Sequence, residues 1–333
     1  MRALVITEPN KAVVREVPKP QPKPGEVLIR VERAGICGTD IHIYKGEFIS
    51  PYPIIPGHEF SGVVHEVGEG VIGLHVGDRV TADPTLYCGE CEFCMTHRNN
   101  HCENWNALGN TVNGCMAEYV AVAARNAVKI PDTMSHEEAA FIEPMACVVH
   151  ALNRLQVQAG NRILLFGAGA MGQLLVQSLS RSGASQLAVV DISKAKLDMA
   201  LKYGATEGVL FEELDSYASS HPNGFDIVAD ATGIPEVIEK AFAFMGPAAK
   251  YLQFGVTPEH ASVRINPFTL YHKDWTILGS MAINQTFLPA FHWIKAKRMD
   301  LTPIVSKVIP LEEMPAFLAN PRDPGLMKVQ IQL

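Results

Sequence analysis

Several features are missing from this chain, and each absence excludes something. No run of about 18 apolar residues is present, so no segment reads as a membrane-spanning helix. There is no basic excess: 28 Lys and Arg face 35 Asp and Glu, a formal net charge of −7, with the cations scattered. A nucleic-acid binder needs a basic face to neutralise phosphates, and none is legible. The opening Met1-Arg-Ala-Leu-Val-Ile-Thr-Glu8 meets a carboxylate before an apolar export core can form, so a cytoplasmic location is expected. Low-complexity tracts and internal repeats are absent. The low apolar content of disordered chains is absent too, because 47% of residues are hydrophobic.

What is present divides in two. At roughly 100–200 residues per domain, 333 residues make two domains. The first 130 or so read as short strands and turns, such as Glu26–Glu32 and Ser61–Gly68, which suggest a small barrel or sandwich. Pro18–Pro24, with alternating prolines, reads as a stiff extended connector, with a ligand for a partner module as the other reading. From about residue 145 apolar strands alternate with helices. The strands are Arg162–Phe166, Leu187–Asp191, Phe225–Asp230, Ala249–Phe254 and Trp275–Gly279. That rhythm marks a parallel sheet covered on both faces. An amphipathic helix near Phe287–Lys297 and a terminal strand, Met327–Leu333, follow.

Gly167-Ala168-Gly169-Ala170-Met171-Gly172 is a GxGxxG that leaves an apolar strand and opens a helix, as a dinucleotide-binding turn requires. Gly167 permits the turn, Gly169 lets backbone approach a pyrophosphate, and Gly172 lets helix and sheet close up. Asp191 ends the next strand, 19 residues after Gly172. A carboxylate there accepts from both ribose hydroxyls and repels a 2′-phosphate, which points to NAD over NADP. Its competing reading is a cap for the following helix, and Lys194 softens its charge.

Seven cysteines, an odd number, speak against a disulfide framework. Cys88, Cys91, Cys94 and Cys102 have the spacing Cys-x2-Cys-x2-Cys-x7-Cys, which suits a closed tetrahedral structural zinc site. A redox pair and an iron–sulfur loop are the competitors. His97 and His101 within the loop read as bystanders. A second set is dispersed: Cys37-Gly-Thr39-Asp-Ile-His42 and Gly57-His58-Glu59 supply a thiolate, an imidazole and a carboxylate, the mixed donors of a catalytic zinc with one open position. Cys115 and Cys147 read as small buried residues.

In this order, these motifs resemble the zinc-dependent medium-chain alcohol dehydrogenases, over nearly the whole chain. The resemblance implies an α/β protein. A GroES-like β-barrel catalytic domain, residues 1–145 completed by 285–333, would flank a Rossmann NAD-binding domain, residues 146–284, with a doubly wound parallel sheet. Phe141-Ile-Glu143-Pro144 is similar to the polyol dehydrogenase branch (sorbitol-, xylitol- and arabitol-like), and to threonine dehydrogenases. It implies Cys37 and His58 as ligands, with Glu59 or Glu143 as the third. Adjacent His58 and Glu59 cannot both face a metal from a regular strand, although a turn allows it. Glu143 also reads as a charge at a helix start beside Pro144.

The implied chemistry is hydride transfer from a secondary alcohol carbon of a polyol to NAD⁺, giving a ketose, with two zinc ions per chain. Thr39 would take the hydroxyl proton, and His42 would pass it through the cofactor ribose to solvent. L-Threonine is the alternative substrate, and an NAD-binding sensor or structural protein the alternative outside catalysis. Polyol enzymes often carry an Arg in the stretch matching Ser280–Asn284, where this chain has none; Asn284 or Tyr44 then become candidates to hold substrate hydroxyls. The resemblance also implies a homo-oligomer, tetramer or dimer, with neither a nucleic acid nor a membrane as partner.

Overall fold

Strand Arg162–Phe166 is apolar from Ile163 to Phe166, and all four of those residues are fully buried. A strand buried on both faces cannot alternate polar with apolar residues, and this one does not. In the computed structural model, which describes residues 1–321 and 325–333, it sits inside a six-stranded sheet. The order across the sheet is Glu207–Leu210, Gln186–Asp191, Arg162–Phe166, Phe225–Asp230, Met245–Gln253 and Thr276–Gly279. Every pairing is parallel. This is the doubly wound order 3-2-1-4-5-6, whose reversal point lies at the first strand, where the glycine turn emerges.

The chain divides into two units: Cys147–Met281, which holds that sheet, and Met1–Ala146 with Ala282–Leu333. The second unit is built on a seven-stranded, mostly antiparallel sheet whose long central strand is Glu26–Gly35. It pairs with Glu59–Val67 on one side and with both Lys328–Gln332 and Tyr119–Ala123 on the other. The terminal strand thus returns to the first part of the chain, which local residue patterning cannot reveal. Its main core cluster includes Leu4, Ile29, Phe60, Val80, Met116 and Ile331, and a smaller one holds Ala3, Val5, Ile55 and Ala117. Pro18–Pro24 has no regular structure and links strand Lys11–Glu16 to the central strand. The mixed α/β architecture is the one expected.

At the open edge of the parallel sheet, Thr276–Gly279 carries no charged residue, and Ile277 is 45% exposed. Phe268 and Tyr271, on helix Pro267–His272, are also largely exposed. Among the described residues no helix is long and apolar enough to cross a membrane.

Candidate active site and metal centres

The central strand ends at Gly35, and two residues later Cys37 becomes the N-cap of helix Gly38–Lys45. Asp40, at the third helical position, turns its carboxylate back to accept from Cys37 N at 2.9 Å. Its other oxygen accepts from Gly57 N at 3.1 Å and lies 3.9 Å from His58 Nδ1. One fully buried carboxylate therefore fastens the cysteine-bearing turn to the histidine-bearing turn. Burial pushes the Asp40 carboxyl up, and the charge of His58 works against that. Sequence reading passed over Asp40, although an acid three residues after a cap is a recognisable signal.

Gly57 has φ +95°, and a Cβ there would collide with Met116 and with Cys115 Sγ. Only glycine permits the turn that precedes strand Glu59–Val67. His58 lies just before that strand and Glu59 is its first residue, so the two side chains escape strict strand alternation. The result is a set in which Cys37, His58 and Glu59 each place a donor atom within 4.8 Å of the others. Burial opposes charging of His58. The Cys37 thiolate, Asp40 and Glu143 outweigh it and hold the ring well above the usual histidine value. Glu143, near the start of helix Ile142–Leu155, is buried and contributes its charge to the cluster without belonging to the three-donor set. Cys115 is pushed far up by burial and then by Asp40, Glu59 and Glu143, so it stays a neutral thiol.

Thr39 is partly buried, its Oγ1 3.6 Å from Cys37 Sγ. His42, one turn along the same helix, places Nδ1 2.8 Å from Glu47 Oε2, which leaves Nε2 for proton traffic. Two residues that local reading missed stand behind Glu59. Lys328 is buried and ion-paired to Glu59 Oε2, and Gly35 faces Glu59 across the strands. Burial works against charging Lys328, but Glu59 and then Cys37 outweigh it and raise the ammonium above the usual lysine value.

In the four-cysteine loop all thiols are free of disulfides. The sulfurs of Cys88 and Cys102, Cys91 and Cys102, and Cys88 and Cys94 are separated by 3.5, 3.9 and 4.0 Å. A tetrahedron of sulfurs about 2.3 Å from one ion has edges of about 3.8 Å, so the cavity fits a single zinc. A multi-iron cluster needs sulfurs farther apart. Backbone N–H groups of Glu90 and Cys91 help hold the Cys88 thiol down at about 6, whereas burial pushes Cys94 up to about 12. His97 and His101 lie outside the four-sulfur set.

The two candidates for substrate contact have other roles in the fold. Asn284 accepts from Asn99 N at 3.2 Å and donates to His97 O at 2.8 Å, so it stitches the four-cysteine loop to the segment Ala282–Thr286. Tyr44 is buried and its hydroxyl donates to Asn10 O at 2.9 Å. Both side chains thus have partners within the chain.

In the other unit, Gly167 has φ +100° and a Cβ on Gly172 would strike Gly167 O, as the close helix–strand approach requires. A side chain on Gly169 would meet no atom within 4 Å. Open space thus lies before helix Ala170–Leu179, whose N-terminus has no side-chain cap. Uncapped amides, Ala170 and Met171 among them, facing open space fit a pyrophosphate. Asp191 accepts from Ala168 N at 2.7 Å and Ser193 N at 2.8 Å, bracing the glycine turn; the helix cap is Ser193. Each oxygen keeps a further lone pair for a ribose.

Comparison with known proteins agrees with this geometry. Residues 23–132 match the alcohol dehydrogenase GroES-like domain, and residues 170–296 match the zinc-binding dehydrogenase family. The chain is 34% identical to D-altritol 5-dehydrogenase of Agrobacterium fabrum, over 99% of each chain. It is 34% identical to an L-threonine 3-dehydrogenase of Bacillus subtilis, over 91% of this chain and 89% of that one. A zinc-binding dehydrogenase of Sinorhizobium meliloti, solved with NADP, superposes with a TM-score of 0.96 at 32% identity, covering 100% of this chain and 99% of that one. By motif, fold and full-length similarity, this chain belongs to the zinc-binding medium-chain alcohol dehydrogenase family.

Proposed function

We propose that the protein oxidises a secondary alcohol of a polyol to a ketone with NAD⁺ as hydride acceptor. The observation that carries this reading is the convergence of Cys37, His58 and Glu59 beside Thr39 on the helix that also bears His42. Zinc on the three donors supplies a Lewis acid that acidifies a hydroxyl, and a nicotinamide supplies the acceptor for hydride.

The chain's own residues do the rest. Asp40 holds the two ligand-bearing turns together. Thr39 Oγ1 accepts the hydroxyl proton as it gives up its own, and His42 Nε2 takes up a proton at the solvent end of the path while Glu47 fixes the ring through Nδ1. Glu143 adds charge beside the centre and stands as the exchange partner for Glu59. In the Rossmann unit the Gly167–Gly172 turn takes the pyrophosphate and Asp191 the adenosine ribose, which favours NAD. The four-cysteine zinc fixes a loop that has little core of its own.

A polyol is favoured over L-threonine because a zwitterionic amino acid brings a carboxylate that calls for a cation. The adjacent Lys328 is already committed to Glu59, and Ser280–Asn284 carries no Arg. The likeness to D-altritol 5-dehydrogenase over 99% of both chains supports this choice. The likeness to threonine dehydrogenases keeps L-threonine as the competing substrate. Free thiols throughout agree with a reducing, cytoplasmic setting. The uncharged sheet edge at Thr276–Gly279 suits pairing with a second copy, and so a homo-oligomer. The test is NAD⁺ reduction against pentitols, hexitols and L-threonine; turnover of L-threonine alone would overturn the polyol reading. Two zinc ions per chain are expected, and a single ion would favour a non-catalytic relative.

A further inference from the structure

Lysine is among the residues least often found fully buried, and an unpaired buried ammonium is costly. Lys328 is only 4% exposed, on a strand whose neighbours Val329 and Ile331 are apolar core. Strand pairing does not call for a cation there. Its ammonium is paired with Glu59 Oε2 and donates to Ile36 O at 2.9 Å. Room for the pair is cut into the sheet by Gly35, which lies across from Glu59 on one side and Gln330 on the other. A Cβ at Gly35 would strike Glu59 Oε2 and come within 3.0 Å of Lys328 Cε. Three strands distant in sequence thus cooperate to place one positive charge against one oxygen of a candidate metal ligand.

We propose that Lys328 is a positioning residue for the catalytic metal, holding Glu59 by Oε2 so that Glu59 serves the ligand set through Oε1 alone. The inference rests on the reading of Cys37, His58 and Glu59 as the zinc centre. A carboxylate with both oxygens free can chelate through both, and the second oxygen would fill the position a substrate hydroxyl needs. With Oε2 fastened, the carboxylate has one orientation and one donor. The ammonium also sets one positive charge beside a buried group of acidic side chains that includes Glu59, Cys37 and Glu143. Partners of metal ligands in this position commonly govern metal affinity about 10- to 100-fold.

Two variants perturb the pair from opposite sides. Lys328→Met removes the charge at similar length, and Gly35→Ala pushes Glu59 while leaving the lysine. Zinc transfer to a chelator is followed at each site, together with the visible spectrum of the cobalt(II)-substituted catalytic site. In both variants catalytic-site affinity should fall about 10- to 100-fold and the cobalt spectrum should shift. The four-cysteine site should keep its ion. In a Glu59→Gln background, Lys328→Met should add little. Wild-type affinity and spectrum in Lys328→Met, or equal loss from both sites, overturns the proposal; if that variant does not fold, wild-type behaviour in Gly35→Ala does so. Cys37→Ser is run alongside: if it keeps both ions, the reading of the centre itself fails, whatever Lys328 does.

Discussion

Cys37, Thr39 and His42 occupy the cap and first turns of one short helix, so a thiol, a hydroxyl and an imidazole are placed by a single local structure. Replacing Thr39 by Ala removes the hydroxyl proposed to take the substrate proton and leaves the Gly167–Gly172 turn as it is. Turnover should fall by about 10²-fold or more while the Kd for NAD stays the same; stopped-flow turnover and fluorescence titration measure the two separately. Unchanged turnover would remove Thr39 from the proton path. Asn284 gives the opposite expectation. Its two bonds to the Asn99 and His97 backbone, worth about 1 kcal/mol each, tie down the four-cysteine loop. Asn284→Ala should speed zinc release from that loop and leave the KM for polyol untouched, whereas a raised KM would restore it as a substrate contact.

At the scale of elements, strand Glu59–Val67 is braced from behind by helix His136–Ala139. Ser61 Oγ donates to His136 O at 2.8 Å, and the His136 ring contacts Ser61 Oγ at 3.0 Å. Arg79 Nε donates to His136 Nε2 at 3.3 Å, which requires a neutral ring. Burial first, and then Arg79, Arg30 and Arg33, lower this histidine from 6.5 to about 4. The unfolded chain therefore binds the proton more tightly than the folded one. The stabilisation is complete above about 6.5 and is lost as pH falls toward 4. His136→Gln should flatten the acid side of a plot of urea midpoint against pH in that window. An unchanged slope would show that the ring is not held neutral.

The same scale explains what the sequence could disclose. The glycine turn, the four-cysteine loop and the helix after Cys37 are set by short spacings, because local backbone geometry places their atoms. The parallel sheet, though not its strand order, followed from apolar strands alternating with helices. Glu59–Lys328 and Asn284–Asn99 join residues far apart in the chain, so no spacing announces them. The place of Asn284 was hidden for a related reason. Ala282 and Gln285 adopt φ of +48° and +56°, and that backbone turns Asn284 onto the cysteine loop. The nearness of Tyr44 to the motif in sequence likewise says nothing of its burial.

For the whole molecule, the seven cysteines sort by environment. Four form a zinc-sized tetrahedron, Cys37 joins the mixed donor set, Cys115 is a buried neutral thiol and Cys147 is only partly buried. The exposed sheet edge adds an expectation about assembly. Light scattering should give a multiple of the 36.3 kDa chain, and Ile277→Lys should shift it toward one chain. A wild-type monomer would contradict the assembly reading without touching the chemistry. The chemistry itself is tested most directly by NADH formation from a panel of pentitols and hexitols, before metal removal, after it, and after zinc is restored. The account predicts polyol-dependent NADH formation that disappears with the metal and returns with zinc. NADH formation that continues undiminished in the metal-free protein would contradict it.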